Sequence, residues 1–150
     1  MKKNKNDFLK KIKIYFYRII YNFLKTKSKN DINSIKLFWF KNTQNFGDSL
    51  NPILVNILTG KKVEWVKSYS PKEHYITIGS ILETATKDTI VWGSGFISEH
   101  KHCFEKPKKV CAVRGPKSRE ILINDGIECP KVYGDPALLL PKIYSPSFIF

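Results

Sequence analysis

The apolar and polar positions divide the chain into a basic N-terminal segment and a longer region with a different pattern. From residue 35 onwards, apolar runs of strand length alternate with segments that have helical or turn patterns. Several runs have apolar residues on both faces, which is typical of strands in a parallel sheet covered on both faces. The predicted strands are Ile35–Phe40, Lys62–Val66, Tyr75–Ser80, Thr89–Gly95, Lys109–Gly115 and Lys131–Gly134.

Two helices are predicted between these strands. The first runs from Asp48 to Gly60, with Asp48 or Ser49 as its N-cap and the glycine as its terminator. The second, Pro116–Gly126, begins with proline and ends with glycine in the same way. The alternation of strands and helices predicts an α/β fold with a Rossmann-like, doubly wound parallel sheet.

The N-terminal segment has the pattern of a basic amphipathic helix over residues 7–25. Apolar side chains recur there at steps of three and four, while lysines and Arg18 cover the other faces. These charges exclude a signal peptide and a membrane-spanning helix. The helix either lies on the anionic inner face of the plasma membrane or packs its aromatic face on the protein's own domain. We therefore divide the chain into a helix with linker, 1–30, and one α/β domain, 31–150.

The net charge of +13 does not indicate a nucleic-acid partner. Residues 1–30 contain ten of the 26 Lys and Arg residues but one of the 13 acidic residues, so the basic character is concentrated in this segment. The sequence also contains no recognisable base-reading module. The three cysteines lack a CxxC pair, which indicates free thiols in a reducing compartment and predicts a cytoplasmic protein.

The histidines and cysteines do not predict a metal site. His100, His102 and Cys103 are close in sequence, but their spacing lacks a second ligand pair and predicts a polar loop. His74 begins a predicted strand, and we expect it at the surface. The sequence has neither a Walker A loop nor G-x-G-x-x-G, so no cofactor is indicated.

Four loops follow predicted strands, and open parallel sheets bind ligands beyond the carboxyl ends of their strands. In the first loop, Gly47 permits a tight turn, and Asp48 either caps the helix or accepts hydrogen bonds from a hydroxylated ligand. In the second loop, Gly93 and Gly95 flank Ser94. This arrangement lets backbone N–H groups approach an anion, or it closes an ordinary turn.

The third and fourth loops contain Arg114 and Asp135. Arg114 ends a predicted strand directly before a helix, where its guanidinium suits bidentate contact with a carboxylate or phosphate. The alternative is an ion pair with Asp48 or Asp135 that holds two loops together. Asp135 precedes a proline and is either a ligand contact or part of a structural turn.

Five motifs together resemble the polysaccharide pyruvyltransferase family. They are, in order, "NFGDSLNP", "IGSIL", "VWGSGF", "AVRGPKSREIL" and "GDPALLLP". The resemblance covers about residues 35–141 and implies one half of a GT-B-like pair of Rossmann-like domains. It also implies phosphoenolpyruvate as donor and a sugar of a bacterial surface polysaccharide, or its lipid-linked precursor, as acceptor.

The resemblance also implies roles for particular residues. Arg114 would bind the donor anion, with the backbone of the "WGSG" loop nearby. Asn45, Gly47 and Asp48 would line the cleft, and Asp48 would act catalytically by orienting or deprotonating an acceptor hydroxyl.

Members of this family are longer than this chain, and their second domain completes the donor site. We therefore expect a truncated pyruvyltransferase domain that is inactive alone and is completed by a separately encoded C-terminal domain. One alternative is a GT-B-type glycosyltransferase that uses a nucleotide-sugar. The other is a non-catalytic remnant associated with the membrane through residues 7–25.

Overall fold

The computed structural model describes residues 12, 14–16, 33–41 and 45–144. The strands are β1 (Ser34–Phe38), β2 (Lys62–Trp65), β3 (His74–Ile76), β4 (Thr89–Trp92) and β5 (Lys109–Ala112). The helices are α1 (Phe46–Thr59), α2 (Pro116–Asn124) and α3 (Leu140–Ile143), with 3-10 turns at Leu82–Thr84 and Pro136–Leu139.

The five strands form a parallel sheet in the order β2-β1-β3-β4-β5. A single parallel bridge between Val113 and Tyr133 follows β5, so the strand predicted at Lys131–Gly134 is reduced to one bridge. The α/β fold with a parallel sheet is confirmed. The strand order is the flavodoxin-like one, in which ligands bind at the switch point between β1 and β3. The GT-B-like arrangement of two domains stays a prediction.

Helices α1 and α2 lie on opposite faces of the sheet. The connection through α1 places β2 on one side of β1, whereas the connection through α2 leads to the bridge on the far side of β5. Right-handed crossovers in these opposite directions put the two helices on different faces. Accordingly, Leu122 of α2 packs in a cluster with Phe38, Ile76 and Val91, and Leu54 of α1 packs in a separate one.

Asn45 caps helix α1. Its side-chain Oδ1 accepts hydrogen bonds from the backbone N–H groups of Gly47 at 2.9 Å and Asp48 at 3.4 Å. The prediction that Asp48 or Ser49 is the N-cap is therefore wrong, because the helix begins earlier, at Phe46. Asp48 lies in the first turn instead, where a carboxylate is favoured by the helix dipole.

Part of the predicted N-terminal helix is described. Ile12 and residues 14–16 are helical, and the ring of Tyr15 lies 5.7 Å from that of Phe104. This contact is of the kind expected if the aromatic face packs on the protein's own domain. The rest of residues 7–25 lies outside the described residues, and contact with a membrane stays a prediction. None of the described helices has both the length and the apolar character needed to cross a bilayer.

His74 is buried, with 1 % of its surface exposed, so the prediction of a surface residue is wrong. Strand β3 lies in the middle of the sheet, between β1 and β4. The ring is satisfied on both sides, because Nδ1 lies 2.7 Å from the carbonyl oxygen of Lys72 and Nε2 lies 3.1 Å from Oγ1 of Thr89. A carbonyl can only accept, so Nδ1 carries a hydrogen and donates it to Lys72.

Candidate active site

The loops that follow β3, β4 and β5 meet at the carboxyl edge of the sheet, and we call this meeting point the rim. The hydroxyl of Ser94 donates to the carbonyl oxygen of Gly79 at 2.9 Å, and the N–H of Gly95 donates to the same oxygen at 3.1 Å. The N–H of Arg114 donates to the carbonyl oxygen of Ser94 at 3.2 Å. The rim therefore consists of residues 79–80, 93–95, 114 and 135, tied together by hydrogen bonds between loops.

The side chain of Arg114 extends across the rim, and its guanidinium contacts two other residues there. Its Nη1 donates to Oγ of Ser80 at 2.6 Å, and its Nε lies 3.9 Å from Oδ2 of Asp135. Of the two alternatives for Arg114, the ion pair with Asp135 is thus present in the structure. The arginine side chain still keeps 43 % of its surface exposed, which leaves the guanidinium accessible to a ligand. Ser80 was missed by the sequence analysis, although it lies in the motif "IGSIL".

Asp135 serves the local backbone as well as Arg114. Its Oδ1 accepts a hydrogen bond from the N–H of Ala137 at 3.0 Å, which caps the 3-10 turn Pro136–Leu139. The structural turn foreseen for this residue is therefore present. Oδ2 faces Arg114, and the side chain is only 15 % exposed. Asp135 consequently fixes the guanidinium from a position that is itself fixed by the backbone.

The loop "WGSG" is a packing element of the rim. Ser94 is fully buried, and its hydroxyl is engaged with Gly79. The N–H of Gly93 donates to the carbonyl oxygen of Ala112 at 2.9 Å, and that of Gly95 is engaged with Gly79. The N–H groups of these two glycines thus point at protein carbonyls, and contact of this loop with an anion stays a prediction. The glycines allow the loops to approach closely.

Gly93 allows the closest of these approaches. Its φ of +99° is in the region that favours glycine, and a Cβ at this position would lie 2.4 Å from Cα of Asp135. Gly95 is similarly enclosed, since a Cβ there would lie 3.0 Å from both Cβ of Arg114 and Oγ of Ser118. The aliphatic part of the arginine therefore lies directly over Gly95.

Asn45, Gly47 and Asp48 lie at the N-terminus of α1, beside the loop that follows β3. A Cβ at Gly47 would be in ordinary contact with Ile78, at 3.8 Å from its Cγ2. Since β1 and β3 are neighbours in the sheet, the start of α1 and the loop carrying Ser80 are adjacent at the switch point. Arg114 thus belongs to the rim, while Asp48 lies in the first turn of α1 beside the loop that carries Ser80.

Asn51 joins α1 to this edge and was missed by the sequence analysis. It is fully buried, and its Oδ1 accepts hydrogen bonds from the N–H of Ile78 at 3.0 Å and from the hydroxyl of Thr77 at 2.5 Å. Its Nδ2 donates to the carbonyl oxygens of Ile78 at 3.1 Å and Gly47 at 3.2 Å. The sequence feature that could have indicated this role is a polar residue directly after Leu50, within the apolar face of the predicted helix.

The histidines and the cysteine of the loop at residues 100–104 have separate surroundings. His102 pairs with Asp125 at 2.8 Å between Nδ1 and Oδ2, while His100 is largely exposed near Glu99. Burial raises the pKa of the Cys103 thiol to about 12, and the charge of Asp125 adds to this rise. Within the described ranges, no three metal-binding side chains are grouped to hold an ion.

A family model described as "Polysaccharide pyruvyl transferase" matches residues 5–148. The match includes the basic N-terminal segment, so the expectation that the family resemblance covers only about residues 35–141 is wrong. No curated protein and no solved structure gives a match.

Proposed function

The chain belongs to the polysaccharide pyruvyl transferase family, and we propose that its rim binds phosphoenolpyruvate as the donor for a sugar of a bacterial surface polysaccharide. The observation that carries this proposal is the partly exposed guanidinium of Arg114, fixed by Ser80 and Asp135 at the carboxyl edge of the sheet. Phosphoenolpyruvate carries a carboxylate and a phosphate on one carbon. A fixed guanidinium can bind either group with two parallel hydrogen bonds.

The proposed reaction forms a ketal between pyruvate and two hydroxyls of one sugar. Protonation of the methylene carbon makes the neighbouring carbon electrophilic, with the character of an oxocarbenium ion. The two sugar oxygens form bonds to this carbon, its bond to the phosphate oxygen breaks, and inorganic phosphate leaves. Of the two protons lost by the sugar hydroxyls, one is balanced by the proton added to the methylene carbon, and the other leaves with the phosphate or to solvent. Asp48 is the candidate to orient the hydroxyls or to accept a proton from them. Arg114 would stabilise the charge on the donor in this step.

We predict that Arg114→Gln weakens phosphoenolpyruvate binding by about 10- to 100-fold, since a hydrogen bond to a charged group contributes about 1.5–3 kcal/mol. Arg114→Lys keeps the charge but not the planar guanidinium, so its affinity for phosphoenolpyruvate should lie between those of the unsubstituted protein and Arg114→Gln. Isothermal titration calorimetry with phosphoenolpyruvate measures the affinities of all three proteins.

Arg119→Gln is the matched control, because its Nε is engaged with the carbonyl oxygen of Cys129 at 3.0 Å, in α2 and outside the rim. Unchanged affinity in Arg114→Gln would contradict the proposal. Displacement of phosphoenolpyruvate by UDP-glucose, with tighter binding of the nucleotide-sugar, would favour the glycosyltransferase alternative instead.

We predict that Gly95→Ala also weakens phosphoenolpyruvate binding, although it removes no charge. The new methyl group would contact Cβ of Arg114 and Oγ of Ser118 at 3.0 Å, so the arginine must move away from Ser80. The affinity should fall by about tenfold, which corresponds to about 1.4 kcal/mol of lost interaction. The same titration tests this, and Gly115→Ala is the control because a Cβ there meets no atom within 4 Å. Equal affinities of Gly95→Ala and Gly115→Ala for phosphoenolpyruvate would show that packing of the Arg114 side chain over Gly95 does not affect donor binding.

A further inference from the structure

A second cleft opens between α2 and the segment that follows the rim loop of β4. We call it the α2 cleft; its walls include Phe96, Ile97, Glu99, Lys117, Glu120 and Asn124. Its volume of about 620 Å³ is within the range of small-molecule sites, about 300–1,000 Å³. No residue of this cleft was predicted from the sequence as part of a site.

The α2 cleft is linked to the rim through Ser118. This residue lines the cleft, and its Oγ accepts a hydrogen bond from the N–H of Phe96 at 3.1 Å. The same oxygen and Cβ of Arg114 both lie 3.0 Å from a Cβ built on Gly95. A wall residue of the cleft is therefore close to the base of the arginine side chain, whose guanidinium extends to Ser80.

The walls of the α2 cleft suit an uncharged ligand rather than a second anion. The lining contains two carboxylates, Glu99 and Glu120, one ammonium group, that of Lys117, and the imidazole of His100, which lies 3.8 Å from Glu99, so it carries no excess of positive charge. Such a lining offers a phosphate no net electrostatic attraction. Carboxylates are strong acceptors for hydroxyl donors, and the side chain of Asn124 can both donate and accept.

The cleft also offers apolar contact. Ile97 keeps 70 % of its surface exposed, so its side chain is available for contact with a ligand in the cleft. Phe96 and Ile121 line the same space and are partly buried. A pyranose ring has hydroxyls around its edge and C–H groups on its faces, and this combination matches a lining of acceptors and apolar groups.

We propose that the α2 cleft binds a neutral sugar unit of the acceptor, adjacent to the unit that receives the pyruvyl group. This inference rests on the proposed function, because it assigns the charged donor to Arg114 and the uncharged saccharide to the neighbouring cleft. The cleft then selects the acceptor through a neighbouring sugar unit that does not itself react.

The test uses the full 150-residue chain labelled with ¹⁵N and observed by NMR. It is titrated separately with methyl glycosides of glucose, galactose and mannose, and with phosphoenolpyruvate. At least one glycoside should shift the amide signals of residues 96–100 and 120–124. Phosphoenolpyruvate should shift those of Ser80 and Arg114.

The double variant with Glu120→Gln and Asn124→Ala should lower the glycoside affinity by about tenfold or more, the effect of one lost hydrogen bond of about 1.4 kcal/mol. Its affinity for phosphoenolpyruvate should not change. Both residues are exposed on α2, so the variant should keep its fold, which its spectrum verifies. Glu128→Gln is the matched control, because this exposed carboxylate lies after α2 and outside the cleft.

The outcomes separate this inference from the donor proposal. If no glycoside shifts the cleft signals, or if the double variant binds glycosides as well as Glu128→Gln does, the inference is overturned even though phosphoenolpyruvate binds at Arg114. If phosphoenolpyruvate shifts the cleft signals instead of those at Arg114, both assignments fail. If glycosides bind in the cleft and phosphoenolpyruvate binds nowhere, the cleft stands and the donor proposal fails.

Discussion

Replacing Asn51 by alanine is expected to lower the free energy of unfolding by about 3–5 kcal/mol, because it leaves several buried polar groups without partners. The side chain accepts from the N–H of Ile78 and the hydroxyl of Thr77, and it donates to the carbonyl oxygen of Ile78. The loss is a large part of the typical stability of a domain, about 5–15 kcal/mol.

Urea denaturation followed by tryptophan fluorescence measures this change, and α1 contains its own control. Asn56 also donates through Nδ2 to a carbonyl oxygen, that of Lys61 at 2.9 Å, but this hydrogen bond is exposed to water. Asn56→Ala should therefore cost about 1 kcal/mol or less. If both variants lose the same amount, burial of the Asn51 network is not what stabilises the edge of the sheet.

Asn51→Ala should also change the ligand site. Without this side chain, the first turn of α1 is no longer tied to the loop that carries Ser80, and the two halves of the switch point can separate. Under conditions in which the variant is still folded, phosphoenolpyruvate should bind more weakly to it than to Asn56→Ala. Equal binding would mean that the start of α1 does not contribute to the donor site.

Replacing Gly93 by alanine is expected to lower the free energy of unfolding by about 3 kcal/mol or more, through combined strain and overlap. Its φ of +99° is unfavourable for any residue with a Cβ. The added methyl group would also lie 2.4 Å from Cα of Asp135 and 2.7 Å from the carbonyl oxygen of Gly134. These are backbone atoms, so the turn that carries Asp135 must move away from Arg114.

Alanine variants of two other glycines separate the cost of backbone strain from the cost of steric overlap. Gly60 and Gly126 have φ values of +67° and +72°, and a Cβ at either would meet no atom within 4 Å. Alanine there should cost about 1–2 kcal/mol, the strain of the left-handed conformation alone. Thermal unfolding followed by circular dichroism compares the three variants. A cost for Gly93→Ala no larger than for the controls would contradict the close approach of the two rim loops.

Much of the fold could be predicted because periodicity and turn residues agree along most of the chain. The five strands and both helices α1 and α2 are found close to their predicted positions. Several predicted strands extend further along the chain than the observed ones. The observed strands end earlier because side chains or loops form hydrogen bonds with the backbone that follows. Predicted strand Tyr75–Ser80 ends at Ile76, since Asn51 then pairs with the backbone of Ile78.

The position of the rim at the strand ends could be predicted from the sequence, but its contacts could not. The rule that ligands bind beyond strand ends selects the region of Arg114 and Asp135. The partners of Arg114 depend on which loops lie side by side, and Ser80 is 34 residues away in sequence. For the same reason, the sequence did not show that the amides of Gly93 and Gly95 donate to the carbonyl oxygens of Ala112 and Gly79. Local sequence does not encode such pairings.

The contacts of Arg114 with Ser80 and Asp135 join parts of the chain that are synthesised at different times. Ser80 leaves the ribosome before Arg114, and Asp135 follows both. A domain generally folds as a unit. The contacts of Arg114 with both Ser80 and Asp135 can therefore be complete only after residue 135 has been synthesised. This arrangement of three residues consequently belongs to a late stage of biosynthesis.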